Sequence, residues 1–345
     1  MLANVSRSDK RAQFLIDAGW GDAVVEALPG DASFRHYFRL RKGKQHALLM
    51  DAPPETEDTH AYVSIARHLS GMGLSAPIIY AVEMDMGFAV IEDFGDQTYT
   101  TLLNQEVDSA QLYALAVDAL IELHGNKSAT AIDIPDFDTN KLVEETTLLV
   151  DWYLPAVTGY STPQDVRNSY IHAWTSVFER LPSYEPTLVL CDYHVDNLML
   201  LDGKKGITRC GLLDFQDALI GHPAYDLVSL LEDARRDVSD ELVCAMRERY
   251  SSGIINPFTN DFDAWYTVMG AQRHARVAGI FVRLSVRDGK DHYLPHIPRV
   301  MRLLTRALCE PVLSPVKHWF DEHLPAPVAP MSIFNPAHIN SFNAY

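Results

Sequence analysis

Leu188-Val-Leu-Cys-Asp-Tyr-His-Val-Asp-Asn-Leu-Met-Leu-Leu201 and, after a short gap, Ile207-Thr-Arg-Cys-Gly-Leu-Leu-Asp-Phe-Gln-Asp217 are the stretches around which the rest of the chain can be placed. Leu188–Leu190 and Leu198–Leu201 are apolar runs of the length of buried strands, separated by a polar loop. Asp202-Gly203 makes a turn, and Ile207–Leu213 reads as a third strand ending on Asp214. Two carboxylates and an amide, Asp192, Asn197 and Asp214, are thereby delivered at strand ends.

These are the residue types that phosphoryl transfer from a Mg-nucleotide needs. One carboxylate accepts the proton of the attacking hydroxyl, while an Asn and a second Asp hold the metal that bridges the phosphates. The five-residue offset from Asp192 to Asn197 equals that of the protein-kinase catalytic loop, and Asp214-Phe-Gln stands in the place of the kinase metal-binding Asp. Any one of the three could instead be a turn residue bonding its own backbone. Together, between apolar strands and ahead of Gly221-His-Pro-Ala-Tyr-Asp-Leu227, they point to catalysis.

Those segments resemble the aminoglycoside phosphotransferase and choline kinase superfamily, a protein-kinase-like fold acting on small molecules. Gly30-Asp-Ala-Ser-Phe-Arg-His-Tyr-Phe-Arg39, Met50-Asp-Ala-Pro-Pro54 and Gln272-Arg-His-Ala-Arg-Val-Ala-Gly-Ile-Phe281 narrow the similarity to the branch of anomeric kinases for N-acetylmuramate and N-acetylglucosamine. It runs from about Phe14 to about Leu308. The resemblance implies an α+β, two-lobe fold: a small antiparallel-sheet lobe over residues 1–95 with a leading helix, and a larger, mainly helical lobe over 96–324 carrying the catalytic and acceptor sites. The tail 325–345 is expected to pack on the body.

The same resemblance implies ATP and Mg2+ as cofactors and transfer to the C1 hydroxyl of an amino sugar in cell-wall recycling. It places Asp192 as base and Asn197 and Asp214 as metal ligands. Ser33, Phe34 and Arg35 fall in the phosphate-covering hairpin, and Glu92 and Phe94 in the inter-lobe hinge that meets adenine. His194, Asp217, Arg273 and His274 are assigned to the acceptor, and Asp226 to support of the catalytic-loop backbone. Two departures stand out. Met50 occupies the place of the β3 Lys that binds nucleotide phosphates in protein kinases, and Leu190-Cys191 replaces the His-Arg pair before the catalytic Asp. Arg35, Arg39 or Lys44 could meet the phosphate charge instead.

Those departures leave open a nucleotide-binding pseudokinase, and the acidic balance would suit an aminoglycoside or choline-like amine as acceptor. Against the latter, Gln272, Arg273, His274 and Arg283 on one predicted helix suit a carboxylate or sugar hydroxyls, and N-acetylmuramate carries a lactyl carboxylate.

Composition agrees with a small-molecule enzyme. The 345 residues exceed the usual single domain, and 47% of them are hydrophobic, enough for a sizeable core. A net charge of −17 argues against nucleic acid or an anionic membrane as main partner, since both require basic patches. Cys191, Cys210, Cys244 and Cys309 form no metal-binding or disulfide pattern and read as reduced thiols. Cys191 beside Asp192 could be a nucleophile, but no base is placed with it. The N-terminus lacks a signal-peptide core, and the expected location is the cytoplasm.

Along the chain, Ser8 is expected to cap a helix through Ala18. Strands are expected at Ala23–Leu28, Phe34–Leu40, His46–Met50, Ile78–Val82 and Phe88–Glu92, with a helix at Thr59–Ser70. From Asp108 onward helices dominate: an apolar-faced one through Leu123, then Asn140–Leu154, Gln164–Leu181, Tyr225–Asp233, Ser239–Tyr250, Phe262–Val286 and Ile297–Leu308.

Overall fold

A computed structural model describes residues 6–30, 34–254 and 260–324. The helix α1 (Arg7–Asp17) begins two residues earlier than a Ser8 cap suggests. Ser6 is the cap: its hydroxyl accepts from the Asp9 N–H while the Asp9 carboxylate accepts from the Ser6 N–H. That reciprocal pair satisfies two otherwise orphaned donors.

Five strands follow: β1 (Val24–Ala27), β2 (His36–Lys42), β3 (Gln45–Asp51), β4 (Ile79–Glu83) and β5 (Phe88–Ile91). They form one antiparallel sheet in the order β1-β2-β3-β5-β4. The helix α2 (Thr59–Gly71), capped by Asp58, lies between β3 and β4 in sequence. One sheet face is closed by α1, with Leu15, Leu40, Ala47, Leu49, Phe88 and Val90 buried together. Arg7 and Arg11 fix the helix there by pairing with the buried Asp51 at the end of β3, their guanidinium groups lying over Phe88 and Phe38. The β4–β5 turn requires glycine at Gly87: φ is +70°, and a Cβ would come within 1.8 Å of the Ala52 carbonyl oxygen.

After α3 (Tyr99–Asn104) and α4 (Ser109–Gly125) come α5 (Thr139–Leu148), α6 (Leu154–Thr158) and α7 (Gln164–Phe178). The single helix expected over Asn140–Leu154 is broken by one π-helical turn, Leu149–Tyr153. Four three-residue strands then frame the central loops: β6 (Thr187–Val189), β7 (Leu198–Leu200), β8 (Cys210–Leu212) and β9 (Leu219–Gly221). The strand expected from Ile207 starts only at Cys210, because Gly206–Arg209 closes as a 3-10 turn. The last helices are α8 (Ala224–Leu231), α9 (Asp240–Gly253), α10 (Asn260–Asp288), α11 (Ile297–Ala307) and α12 (Ser314–His323).

The chain divides into two compact units, Met1–Ile132 with Val195–Ala218 and Asp133–His194 with Leu219–Tyr345, each considered over its described residues. The sequence reading places its boundary at 95/96. The first unit keeps α3, α4 and the β7–β8 hairpin for reasons of backbone pairing. Thr98 bridges Met199, the Leu200 N–H donates to the Gln97 carbonyl, and Ser75 bridges Gly211. The expected packing of the tail 325–345 lies outside the described residues.

In the second unit, α10 runs close against α5. A Cβ on Gly279 would fall 2.2 Å from the carbonyl carbon and oxygen of Leu148, where the helix widens into the π turn. Gly279→Ala is therefore expected to destabilise by about 3 kcal/mol through overpacking against backbone. Urea denaturation measures it, and an unchanged midpoint would contradict the close approach.

Candidate active site

In the first unit, β7 and β8 pair antiparallel with Leu198 opposite Leu212, and the Leu213 N–H donates to the Asn197 carbonyl at 2.9 Å. Asn197 and Asp214 consequently stand at the same end of one short ladder. Asp214 has φ +56°, a left-handed conformation uncommon outside glycine and typical of constrained functional positions.

A buried cation meets Asp214. Arg35, 6% exposed, places one terminal nitrogen 2.5 Å from Asp214 Oδ1, the other 2.5 Å from Gln216 Oε1, and its Nε 3.2 Å from Glu57 Oε2. Burial would lower the guanidinium pKa, but Tyr37, Asp214 and Glu57 outweigh it and raise it above the usual value. Gln216 also donates to Asp214 and to the exposed Asp217, and the Phe34 N–H donates to Glu57. The unit thus gathers Phe34, Arg35, Asn197, Asp214 and Asp217. Ser33 lies outside the described residues.

Of the other residues considered for phosphate, Arg39 is held by Asp93 and Asp96, and Lys44 lies in the exposed β2–β3 turn. Glu92 accepts from the Ile78 N–H, and the Phe94 ring lies against Gly211, where a Cβ would approach it to 3.0 Å. Gln216 and Glu57 were missed by reading the sequence. Gln216 had a visible signal, since it stands where the kinase triplet has Gly; Glu57 had none.

In the second unit, Asp192 follows β6 on a tight turn whose preceding residue, Cys191, has φ +68°. That turn is tied to α8. Asp226, fully buried, accepts the Leu190 N–H at 2.7 Å and the Cys191 N–H at 2.9 Å, and Ser229, one helical turn on, donates to the Cys191 carbonyl. Burial pushes the Cys191 thiol well up, as do Asp226 and Asp192, so it remains a protonated filler and no nucleophile.

Burial acts on the Asp192 carboxyl in the raising direction. The positive field of Arg276, His194, Arg273 and Arg235 exceeds it and holds the group below the usual carboxylate value. The carboxylate form, the one able to accept a proton, is therefore present at neutral pH. His194 is buried, which lowers its pKa together with the neighbouring Arg235 charge. Arg273 is 2% exposed, and its Nε and one terminal nitrogen have no hydrogen-bond partner among the described residues.

Arg276 bridges Glu145 and the Tyr225 hydroxyl. It too was missed, although it lies three positions from Arg273, on the same face of a helix. The rest of the expected acceptor cluster is divided. His274 Nε2 lies 2.8 Å from Glu232 Oε2, committing the imidazole to that carboxylate, and Gln272 is spent on the Leu142 carbonyl and Glu145. Successive helix positions point about 100° apart, so neighbours in sequence serve different faces. Among the described residues, no group of three or more His, Cys, Asp or Glu could hold a metal by itself, and no helix is long and apolar enough to cross a membrane.

The model of the phosphotransferase enzyme family matches residues 24–264, well over half of the chain. The chain belongs to the phosphotransferase enzyme family. An N-acetylmuramate/N-acetylglucosamine kinase of Caulobacter vibrioides is 34% identical, over 94% of this chain and 99% of its own length. A protein of the same name from Pseudomonas aeruginosa is 35% identical over 86% and 88%. In fold, this phosphotransferase is similar to a choline/ethanolamine kinase family protein of Mesorhizobium loti, with a TM-score of 0.62 at 16% identity, covering 91% of this chain and 100% of that one. The kinase-like architecture, with an antiparallel sheet at the N-terminus and a mainly helical remainder, is accordingly that of an ATP-using phosphotransferase.

Proposed function

We propose that this phosphotransferase moves the γ-phosphoryl group of MgATP to the C1 hydroxyl of N-acetylmuramate or N-acetylglucosamine in the cytoplasm. The identity to kinases named for those two sugars, over nearly the whole chain, carries the reading. In this scheme the sheet-bearing unit holds the nucleotide, with Phe34, Arg35, Glu92 and Phe94 on its side, and the second unit holds the acceptor.

Asp192, kept ionised by the surrounding guanidinium groups, accepts the proton of the sugar hydroxyl as its oxygen attacks phosphorus. Asn197 and Asp214 would hold Mg2+. An amide oxygen and a carboxylate are hard oxygen donors, and Mg2+ typically takes one or two carboxylates plus substrate phosphates in place of an all-protein cage. Held there, the ion would supply positive charge against the phosphates. Asp226 supports the loop by fixing its backbone. His194 and Asp217 are the further acceptor candidates, while the tie of His274 to Glu232 leaves it a supporting place.

An amine alcohol is the weaker fit. The arginines that act on Asp192 are Arg276, Arg273 and Arg235, which would repel a cation and attract an anion. The unpartnered buried donors of Arg273 suit the lactyl carboxylate of N-acetylmuramate. Arg273→Met is therefore expected to raise KM for N-acetylmuramate roughly ten-fold or more, the usual worth of a charged hydrogen bond, with little change for N-acetylglucosamine, which lacks the carboxylate. The parent activity is tested by ADP release with N-acetylmuramate, N-acetylglucosamine, glucose, choline and kanamycin, the product position being read by phosphorus NMR. Stimulation by choline or kanamycin alone would overturn the proposal.

A further inference from the structure

Protein kinases bring the phosphate-binding cation in on β3 as a Lys paired with a Glu of the following helix. Here β3 has Met50, wholly buried between Tyr37 on β2 and Ala89 on β5. A cation is nevertheless delivered to the same neighbourhood. The register pairs His36 with Asp51, so Arg35 enters just ahead of β2, beside the end of β3. Its partner Glu57 immediately precedes the Asp58 cap of α2. The Arg35–Glu57 pair has the polarity of the kinase pair, with the cation just ahead of the neighbouring strand and the carboxylate just ahead of the helix cap.

The third partner makes the arrangement more than a substitution. Asp214 Oδ1 already receives Arg35 at 2.5 Å and Gln216 at 3.1 Å. A divalent ion arriving alone at that oxygen must displace a buried guanidinium from one of its two carboxylate partners, Asp214 and Glu57. A nucleotide removes the conflict, because its phosphates accept the guanidinium and free the carboxylate. We infer that Arg35 is the phosphate-binding cation of this enzyme and that, by holding Asp214 in the absence of phosphate, it makes metal binding depend on nucleotide. By reciprocity the metal must then favour the nucleotide to the same degree. The inference rests on the reading of Asp214 as a metal ligand.

The test uses the full-length protein and two probes applied separately: Mn2+ without nucleotide, followed by electron paramagnetic resonance, and a non-hydrolysable ATP analogue in EDTA, followed by calorimetry. Arg35→Gln should tighten Mn2+ binding roughly ten-fold and weaken metal-free nucleotide by a similar factor, as expected for one charged hydrogen bond lost or released. Glu57→Gln keeps the Phe34 contact but removes the Glu57 counter-charge and so strengthens the hold of Asp214 on Arg35. It should shift both affinities the other way, which guards against a misfolded Arg35 variant. Asp214→Asn separates the two layers of the argument. If it abolishes Mn2+ binding while Arg35→Gln leaves Mn2+ affinity unchanged or lower, the role of Arg35 is wrong and the metal assignment stands. If Asp214→Asn binds Mn2+ as the parent does, the metal assignment itself fails.

Discussion

Asp192→Asn is expected to lower turnover by roughly 10²–10⁴-fold, the usual worth of a positioned general base, while MgATP binds as before. The asparagine is nearly isosteric and accepts hydrogen bonds, so the acceptor hydroxyl can still be oriented. What it cannot do is take the proton. The low pKa of Asp192 fits this division of labour, since the neighbouring guanidinium groups of Arg276, Arg273 and Arg235 keep the base form available even though burial works against it.

Asp214→Asn should differ in kind, weakening Mg-dependent nucleotide binding as well as turnover, because it removes charge from the proposed metal position. Asn197→Ala should follow Asp214 and not Asp192. Calorimetric titration of each variant with a non-hydrolysable ATP analogue, with and without Mg2+, reads the difference. Equal loss of nucleotide affinity in both aspartate variants would show the base to be wrongly assigned, and full activity in Asp192→Asn would remove the mechanism.

The second large effect is on stability. Asp226→Ala strips two buried backbone donors, Leu190 N–H and Cys191 N–H, of their shared acceptor. Each unsatisfied donor costs about 1–3 kcal/mol, so the pair should cost roughly 2–6 kcal/mol. The loss falls on a turn already strained by the left-handed Cys191, a conformation that costs about 1–2 kcal/mol in a residue other than glycine. Asp226→Asn should recover little, since one amide oxygen can serve only one of the two donors and its NH2 group would face the other. Denaturant unfolding measures both variants. A midpoint unchanged in Asp226→Ala would mean that the turn is held by other contacts.

How much of this was legible in the chain can be judged residue by residue. The placement of Asp192, Asn197 and Asp214 beside short strands was readable because strand lengths are properties of local sequence, and the short β6, β7 and β8 strands form where apolar runs mark them. The sheet strands were readable for the same reason, to within a residue or two. The Ser6 cap was missed in favour of Ser8 because two serines compete and only the Asp9 bond back to Ser6 decides between them. Amphipathic spacing identified α10 but not the use of its faces. Arg273, His274 and Arg276 look equivalent as basic residues, yet one is left with unpartnered donors, one is committed to Glu232, and one bridges Glu145 and Tyr225.

Sequence by itself determined the local elements, because periodicity and motif offsets are short-range, and the family, through a resemblance carried by motifs spread along most of the chain. Tertiary structure alone decided which carboxylates Arg35 meets and what holds the Cys191 turn. Arg35 meets Asp214 across 179 positions of chain, and Asp226 meets Leu190 across 36. No local pattern encodes such pairings, since a guanidinium or a carboxylate is buried only where the folded chain brings it a partner.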